Sequence, residues 1–267
     1  MHPRISINQI CFSGSVLVEF LGRARALGAQ RIGFNSHSLL APRGVAQAET
    51  TLASGGLSVE TICHPFAETL DGNCAAAQGT LLKLIEIGGQ MGARSIYLLT
   101  GGRGSLSWEQ AAQRFVEAVA PARSAAKAAG LSLMIENASA LYADLHIAHS
   151  LADTIRLAEM AEMGVCIELF HCWAEASLKD LCKRALPRCA LVQVSDYVLG
   201  DRSLPNRAVP GDGTIPLERI IGMLLELGYT GAFDIELLGP RIDSEGHFGA
   251  TQRAAARLSE ILVKLGA

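Results

Sequence analysis

Short apolar runs alternate with longer amphipathic stretches along almost the whole chain. The recurring unit is an Ala/Leu-rich stretch, a glycine and then a β-branched apolar run, as in RALGAQRIGF and KAAGLSLMIE. Glycine is the usual left-handed stop after a helix, so each unit predicts a helix followed by a buried strand. The pattern predicts strands near residues 4–9, 31–35, 58–63, 95–100, 131–136, 164–169, 190–195 and 233–238. It predicts helices near residues 14–28, 40–54, 73–92, 107–129, 149–162, 174–187, 215–227 and 250–266.

This alternation is typical of a parallel sheet with right-handed crossovers. Eight such units in 267 residues predict an α/β protein with the (β/α)8 TIM barrel fold, one domain over residues 1–267. An open doubly wound sheet is the alternative. The first strand-to-helix turn, NQICFSGS, lacks the G-x-G-x-x-G fingerprint of many such sheets, which favours the barrel.

Composition and charge narrow the choice of partners. Hydrophobic residues make up 49% of the chain and the net charge is −3, which allows a sizeable core and disfavours an electrostatic nucleic-acid binder. No apolar run approaches the roughly 18 residues of a membrane span, and the N-terminus lacks a signal-peptide layout. The seven cysteines include no C-x-x-C pair, which is typical of reduced thiols. We therefore expect a cytoplasmic protein without nucleic-acid or membrane partners.

Four consecutive predicted strands end in a group that can donate oxygen to a metal. The runs LSLMIEN, VCIELFH, LVQVSD and FDIELL deliver Glu136, Glu168, Gln193 and Glu236. A carboxylate or amide at the end of a buried strand is costly unless something pairs it, and barrel active sites lie at this end of the strands. All four donors are hard oxygens, which favours Mn²⁺ or Mg²⁺. The alternative is that the glutamates form buried ion pairs with arginines: Arg94, Arg103, Arg207 or Arg241.

With these residues, the chain resembles the xylose-isomerase-like barrel superfamily of sugar isomerases and epimerases. Glu136 in LMIEN and Glu236 in DIEL match two metal-binding glutamates of that superfamily. Glu168 and His171 in ELFH stand where the superfamily has D-x-x-H, and Gln193 in QVSD stands where it usually has histidine. NRAVPGDG resembles its loop with a substrate-binding arginine, here Arg207. Glu168 extends the carboxylate by one bond, and Gln193 exchanges a nitrogen donor for an amide oxygen, so neither substitution removes a possible ligand.

The resemblance implies a divalent-metal-dependent isomerase or epimerase of a sugar, sugar phosphate or polyol-like ketone. Glu136 and Glu236 would be the two acid/base groups on either side of a metal-stabilised enediolate, and both would also bind the metal. Substrate-binding candidates are His171, His64, Arg207, Trp108 and Asn8. Simpler interpretations of His171 and Trp108 are a cap of the strand-to-helix turn and packing at a helix start.

Three other functions stay in consideration. A dehydratase of a cyclic polyol ketone, such as an inosose or dehydroshikimate, would begin with the same proton abstraction. A non-catalytic sugar-binding barrel would have lost the metal. An endonuclease IV-like repair enzyme is disfavoured, because the segment DRSLPNRAVPGDG contains no histidine and the charge balance does not suit DNA. The expected partner is a small carbohydrate-like substrate, and the sequence leaves a homo-oligomer open.

Overall fold

Eight parallel strands close into a barrel in sequence order, from β1 to β8. The structure is a computed structural model that describes all residues from Met1 to Ala267. The strands are β1 Ile5–Asn8, β2 Arg31–Asn35, β3 Ser58–Pro65, β4 Ser95–Leu99, β5 Ser132–Glu136, β6 Gly164–Glu168, β7 Cys189–Val194 and β8 Ala232–Ile235. The (β/α)8 TIM barrel predicted from the alternating pattern is therefore confirmed.

Eleven α-helices connect and follow these strands. They are α1 Leu17–Ala26, α2 Ser36–Leu40, α3 Gly44–Ala53, α4 Ala75–Gln90, α5 Trp108–Ala128, α6 Leu151–Ala161, α7 Leu169–Cys172, α8 Leu178–Ala185, α9 Leu217–Glu226, α10 Pro240–Glu245 and α11 His247–Lys264. Short 3-10 helices occupy Gln9–Phe12, Ala140–Tyr142 and Leu186–Arg188. All eight predicted helices are present, most of them with shorter ends, and α2, α7 and α10 are three additional short helices.

The second predicted helix, near residues 40–54, begins later than predicted, at Gly44, and the separate short helix α2 precedes it. α2 ends where the backbone N–H of Ala41 donates to the carbonyl of His37, and Arg43 then takes a left-handed conformation with φ 66°. α3 begins at Gly44, where a Cβ would clash with the carbonyl oxygen of Ser38. A continuous helix is therefore prevented by a close backbone approach that only glycine permits.

The chain divides into two compact units, and the first combines residues 1–60 with residues 191–267. In it β1 pairs with β2 and with β8, so that Ile7 lies opposite both Ile32 and Ile235. β7 pairs with β8 and sets Gln193 opposite Asp234. Buried aromatic rings fill the space between these strands and their helices: Phe12, Phe20, Phe34 and Phe233.

The second unit covers residues 61–190. Its strands β3, β4, β5 and β6 pair in parallel, with Ile62 opposite Ile96 and Ile135 opposite Val165. Phe66 and Phe115 pack edge to face, with ring centroids 5.6 Å apart. A capping box begins α5, because Ser107 accepts from the backbone of Gln110 while the Gln110 side chain accepts from the backbone of Ser107. The single domain predicted over residues 1–267 stays a prediction.

None of the helices has the length and apolar character needed to cross a lipid bilayer.

Candidate active site

Glu136 is the last residue of β5, and the residue after it fixes the neighbouring strand. The Glu136 side chain is buried. The amide nitrogen of Asn137 donates to the carbonyl oxygen of Glu168 over 2.9 Å, and the backbone N–H of Glu168 donates to the Asn137 amide oxygen over 2.8 Å. One side chain thus replaces two ladder hydrogen bonds where the strands end. The I-E-N sequence therefore positions a glutamate and fixes the end of β6 at the same time.

Glu168 ends β6 and is completely buried. Its Oε1 accepts from the backbone N–H of Phe170 over 3.1 Å, which caps α7, and its Oε2 lies 3.6 Å from Nε2 of His171. The ring of His171 packs edge to face against Tyr142, with centroids 6.0 Å apart. Glu168 is therefore the N-cap residue of this turn, and the role of His171 stays a prediction.

In the first unit, the carboxylate of Glu236 meets two donors. The amide nitrogen of Gln193 donates to its Oε2. The Nη2 of Arg207 lies 3.4 Å from its Oε1, and both side chains are almost completely buried. For this one glutamate, the structure has the arginine ion pair that the sequence offered as an alternative to metal binding.

Asp196, two residues after β7, organises the loop that carries Arg207. Its Oδ1 accepts from the backbone N–H groups of Tyr197 and Ile215 over 2.8 and 2.9 Å. Its Oδ2 accepts from those of Gly211 and Gly213 over 2.8 and 3.0 Å. A carboxylate that accepts four backbone hydrogen bonds is a loop anchor. The sequence pattern did not reveal this role, because the donors lie up to 19 residues away.

A second pair of buried polar side chains in the first unit consists of Asn8 and Asp234. The amide nitrogen of Asn8 donates to Oδ2 of Asp234 over 2.8 Å, and the Asn8 amide oxygen accepts from the backbone N–H of Ile10 over 3.0 Å. Burial raises the pKa of Asp234 to about 7. Asn8 thus engages both ends of its amide with the protein, and a direct substrate contact by Asn8 stays a prediction.

Two further substrate-binding candidates lie in the second unit. His64 near the end of β3 is 5% exposed, and burial lowers its pKa to about 4, so it is neutral at pH 7. The indole nitrogen of Trp108 donates to the carbonyl of Ile147 over 2.9 Å, and the guanidinium carbon of Arg156 lies 4.3 Å from its ring centroid. Trp108 therefore packs at the start of α5, and its predicted contact with substrate is untested.

No three or more His, Cys, Asp or Glu side chains are grouped in an arrangement that could hold a metal ion. Among the predicted ligands, Glu168 is engaged with the α7 turn, and Gln193 and Glu236 are engaged with each other. The predicted four-residue metal site therefore stays a prediction.

Comparisons with known proteins agree on the fold. The chain is similar to the protein SMc04130 from Sinorhizobium meliloti 1021, with 21% identity, 98% of each chain covered and a TM-score of 0.83. An IolI protein crystallised with a zinc atom is 14% identical, with 98% of this chain and 99% of that chain covered and a TM-score of 0.80. An L-ribulose 3-epimerase is 19% identical, with 99% and 96% covered and a TM-score of 0.79. No curated protein matches the sequence significantly.

A sequence model described as the xylose isomerase-like TIM barrel matches residues 21–260. This match spans all of the strands except β1 and includes every predicted metal ligand. The chain therefore belongs to the xylose isomerase-like TIM barrel family.

Proposed function

We propose that this protein is a divalent-metal-dependent isomerase or epimerase of a sugar, sugar phosphate or polyol-like ketone. The observation that carries the proposal is the burial of three glutamates where β5, β6 and β8 end. Glu136, Glu168 and Glu236 are 6%, 0% and 7% exposed. Active sites of this fold lie at these strand ends, and ionised carboxylates are costly to bury there without a function that uses them.

The donor set fits a hard divalent cation. Glu136, Glu168, Gln193 and Glu236 all offer oxygen, which suits Mn²⁺ or Mg²⁺ better than softer ions. Because the amide nitrogen of Gln193 donates to Glu236, the amide oxygen is the atom of Gln193 that could bind a metal ion. A bound ion and Arg207 would compete for the Glu236 carboxylate, because both are positively charged. The zinc atom in the IolI structure supports metal binding within this fold.

The proposed reaction is proton transfer next to a carbonyl group. A bound divalent cation supplies Lewis acidity, which makes the neighbouring C–H more acidic. One of Glu136 and Glu236 removes that proton and leaves an enediolate. The other glutamate returns a proton to the opposite face of the same carbon for epimerisation, or a proton returns to the adjacent carbon for isomerisation. The resemblance to an L-ribulose 3-epimerase supports a ketose as substrate.

Substrate recognition is assigned to the remaining predicted residues. Arg207 is proposed to bind an anionic or hydroxyl-rich part of the substrate through its guanidinium group. The other proposed substrate contacts are His171, His64, Trp108 and Asn8. Neutral His64 can donate a hydrogen bond to a hydroxyl group or accept one from it, and it adds no charge to the site.

The experiment that tests the function is solvent deuterium incorporation. Purified protein is incubated in D₂O with Mn²⁺ or Mg²⁺ and a panel of ketoses, ketose phosphates and cyclic polyol ketones, and NMR detects exchange at carbon. Exchange with recovery of an isomer or epimer supports the proposal. Exchange with loss of a β-hydroxyl group as water would assign a dehydratase instead. Absence of exchange with every substrate and both metals would overturn metal-dependent proton transfer.

A further inference from the structure

A buried histidine outside the predicted set of site residues contacts the backbone of a proposed catalytic glutamate. His146, in the segment between β5 and α6, is completely buried. Its Nε2 lies 2.7 Å from the carbonyl oxygen of Glu136, and its Nδ1 lies 2.9 Å from the backbone nitrogen of Thr100. The imidazole thus connects the chain just after β4 to the last residue of β5.

The direction of these hydrogen bonds fixes the protonation of the ring. A backbone N–H can only donate, so Nδ1 of His146 accepts from Thr100 and carries no proton. The single ring proton therefore lies on Nε2 and is donated to the Glu136 carbonyl.

The segment around His146 is held in place by further backbone hydrogen bonds. The hydroxyl group of Thr100 accepts from the backbone N–H of Ile147 over 3.0 Å. The backbone N–H of Ala138 donates to the carbonyl of Ala148 over 3.2 Å. The segment therefore returns to its own strand, and a shift of the segment would move the end of β5.

We propose that His146 is a positioning residue for Glu136. It fixes the peptide plane that follows the Cα atom of Glu136, and with it the direction in which the carboxylate leaves the strand. The inference rests on the proposed acid/base function of Glu136. Because His146 is completely buried, it acts through Glu136 and not by touching substrate. Misplacing a reacting group by roughly 1 Å can cost about 10²-fold in rate.

A matched pair of variants separates positioning from general stability. His146→Gln places an amide N–H near the position of Nε2 and keeps a donor for Glu136, whereas it loses the acceptor for Thr100. His146→Asn places an amide oxygen near the position of Nδ1 and keeps the acceptor for Thr100, whereas it loses the donor for Glu136. His146→Gln loses the contacts of Nδ1 with the backbone N–H and the hydroxyl group of Thr100, whereas His146→Asn loses only the contact of Nε2 with Glu136. A purely structural role therefore predicts a kcat value for His146→Asn that is no lower than that for His146→Gln.

We expect kcat of deuterium exchange to be at least about tenfold lower in His146→Asn than in His146→Gln, with KM changed by less than about threefold in either. Crystal structures of both variants should show the Glu136 carboxylate displaced only in His146→Asn. Equal kcat values, or an unmoved Glu136 in both structures, would overturn the inference. If Glu136 is displaced in His146→Asn but the parent protein exchanges no substrate proton, the positioning role of His146 is supported and the proposed function is rejected.

A measurement on the parent protein covers the case in which neither variant folds. Nitrogen-15 NMR of the imidazole at pH 7.5 should show the ring proton of His146 on Nε2. A proton on Nδ1 would contradict the arrangement from which the inference is drawn.

Discussion

At the scale of single residues, the contacts of Glu236 bear most directly on reactivity. Gln193 donates to one carboxylate oxygen of Glu236, while the guanidinium group of Arg207 faces the other. One donor is neutral and the other is charged, so only Arg207 competes electrostatically with a divalent cation. For Glu136, the described contact is at the backbone, where His146 lies 2.7 Å from its carbonyl oxygen.

Replacing either proposed acid/base residue by glutamine should lower turnover while the protein stays folded. Glu136→Gln and Glu236→Gln each keep an oxygen donor and nearly the same shape but remove basicity. We expect kcat of deuterium exchange to fall by at least about 10²-fold in each variant, the scale typical of losing a general acid or base. Glu260→Gln, on the exposed face of α11, is the control for the loss of one charge. Near-parental rates in both site variants would rule out the two-glutamate mechanism.

Exchanging Gln193 for the histidine usual at this position should change metal preference. Gln193→His introduces a nitrogen donor without a change of formal charge, and nitrogen ligands favour Zn²⁺ or Co²⁺ over Mn²⁺ or Mg²⁺. Competitive metal binding to parent and variant, followed by calorimetry and elemental analysis, measures the shift. Identical metal content and preference would show that Gln193 only holds Glu236 and does not touch the metal.

At the scale of elements, the loop after β7 depends on one carboxylate. Asp196→Ala would leave buried backbone N–H groups without an acceptor, at about 1–3 kcal/mol for each group that water cannot reach. We expect a fall in unfolding free energy of at least about 2 kcal/mol in urea denaturation. Asp201→Ala is the matched control, because Asp201 pairs with Arg241 at the surface, where ion pairs contribute little to stability. Equal losses in the two variants would contradict the anchoring role.

The sequence predicted the strands and helices well, because apolar period and helix-terminal glycines are local signals. It did not predict the interruption before α3, which depends on the approach of Gly44 to the Ser38 carbonyl. It also missed the short helix α10, which Gly246 with φ 91° separates from α11. Short helices depend on tertiary packing more than on periodicity, so the pattern carries little information about them.

Some candidate site residues could likewise be predicted from local sequence, and others could not. Strand-end glutamates could be identified from the sequence, because an acid at the end of an apolar run is unusual. The partners of Asp196 and His146 could not. Three of the four backbone hydrogen bonds to Asp196 join residues 15–19 positions apart, and those of His146 join residues 10 and 46 positions apart. Nothing in the local sequence distinguishes these two side chains from an ordinary loop aspartate and an ordinary buried histidine.

At the scale of the whole molecule, buried neutral histidines should make the free energy of unfolding depend on pH. Burial lowers the pKa of His64 to about 4, whereas an unfolded histidine titrates near 6.5. The unfolded chain therefore binds more protons between these values, so stability is highest above pH 6.5 and falls as the pH decreases towards 4. Between pH 7.5 and pH 5, the parent should lose about 2 kcal/mol more than His64→Gln. Urea denaturation at both pH values measures this, and equal losses would contradict it.

The predicted single domain should appear as one cooperative transition. In differential scanning calorimetry we expect the calorimetric and van't Hoff enthalpies of the whole chain to agree, as they do for two-state unfolding. Two separate transitions would show instead that the unit of residues 61–190 unfolds independently of the unit of residues 1–60 and 191–267.

The anchoring of the loop after β7 also determines where this loop can accept inserted residues. Asp196 and the bond from the Arg207 backbone N–H to the Leu238 carbonyl fix the loop on either side of residues 198–205. That stretch includes the exposed Leu199, and doubling the length of a flexible loop costs only about 0.6 kcal/mol. Insertions can therefore accumulate there during evolution, or be added by design, and supply new substrate contacts while Arg207 keeps its position beside Glu236.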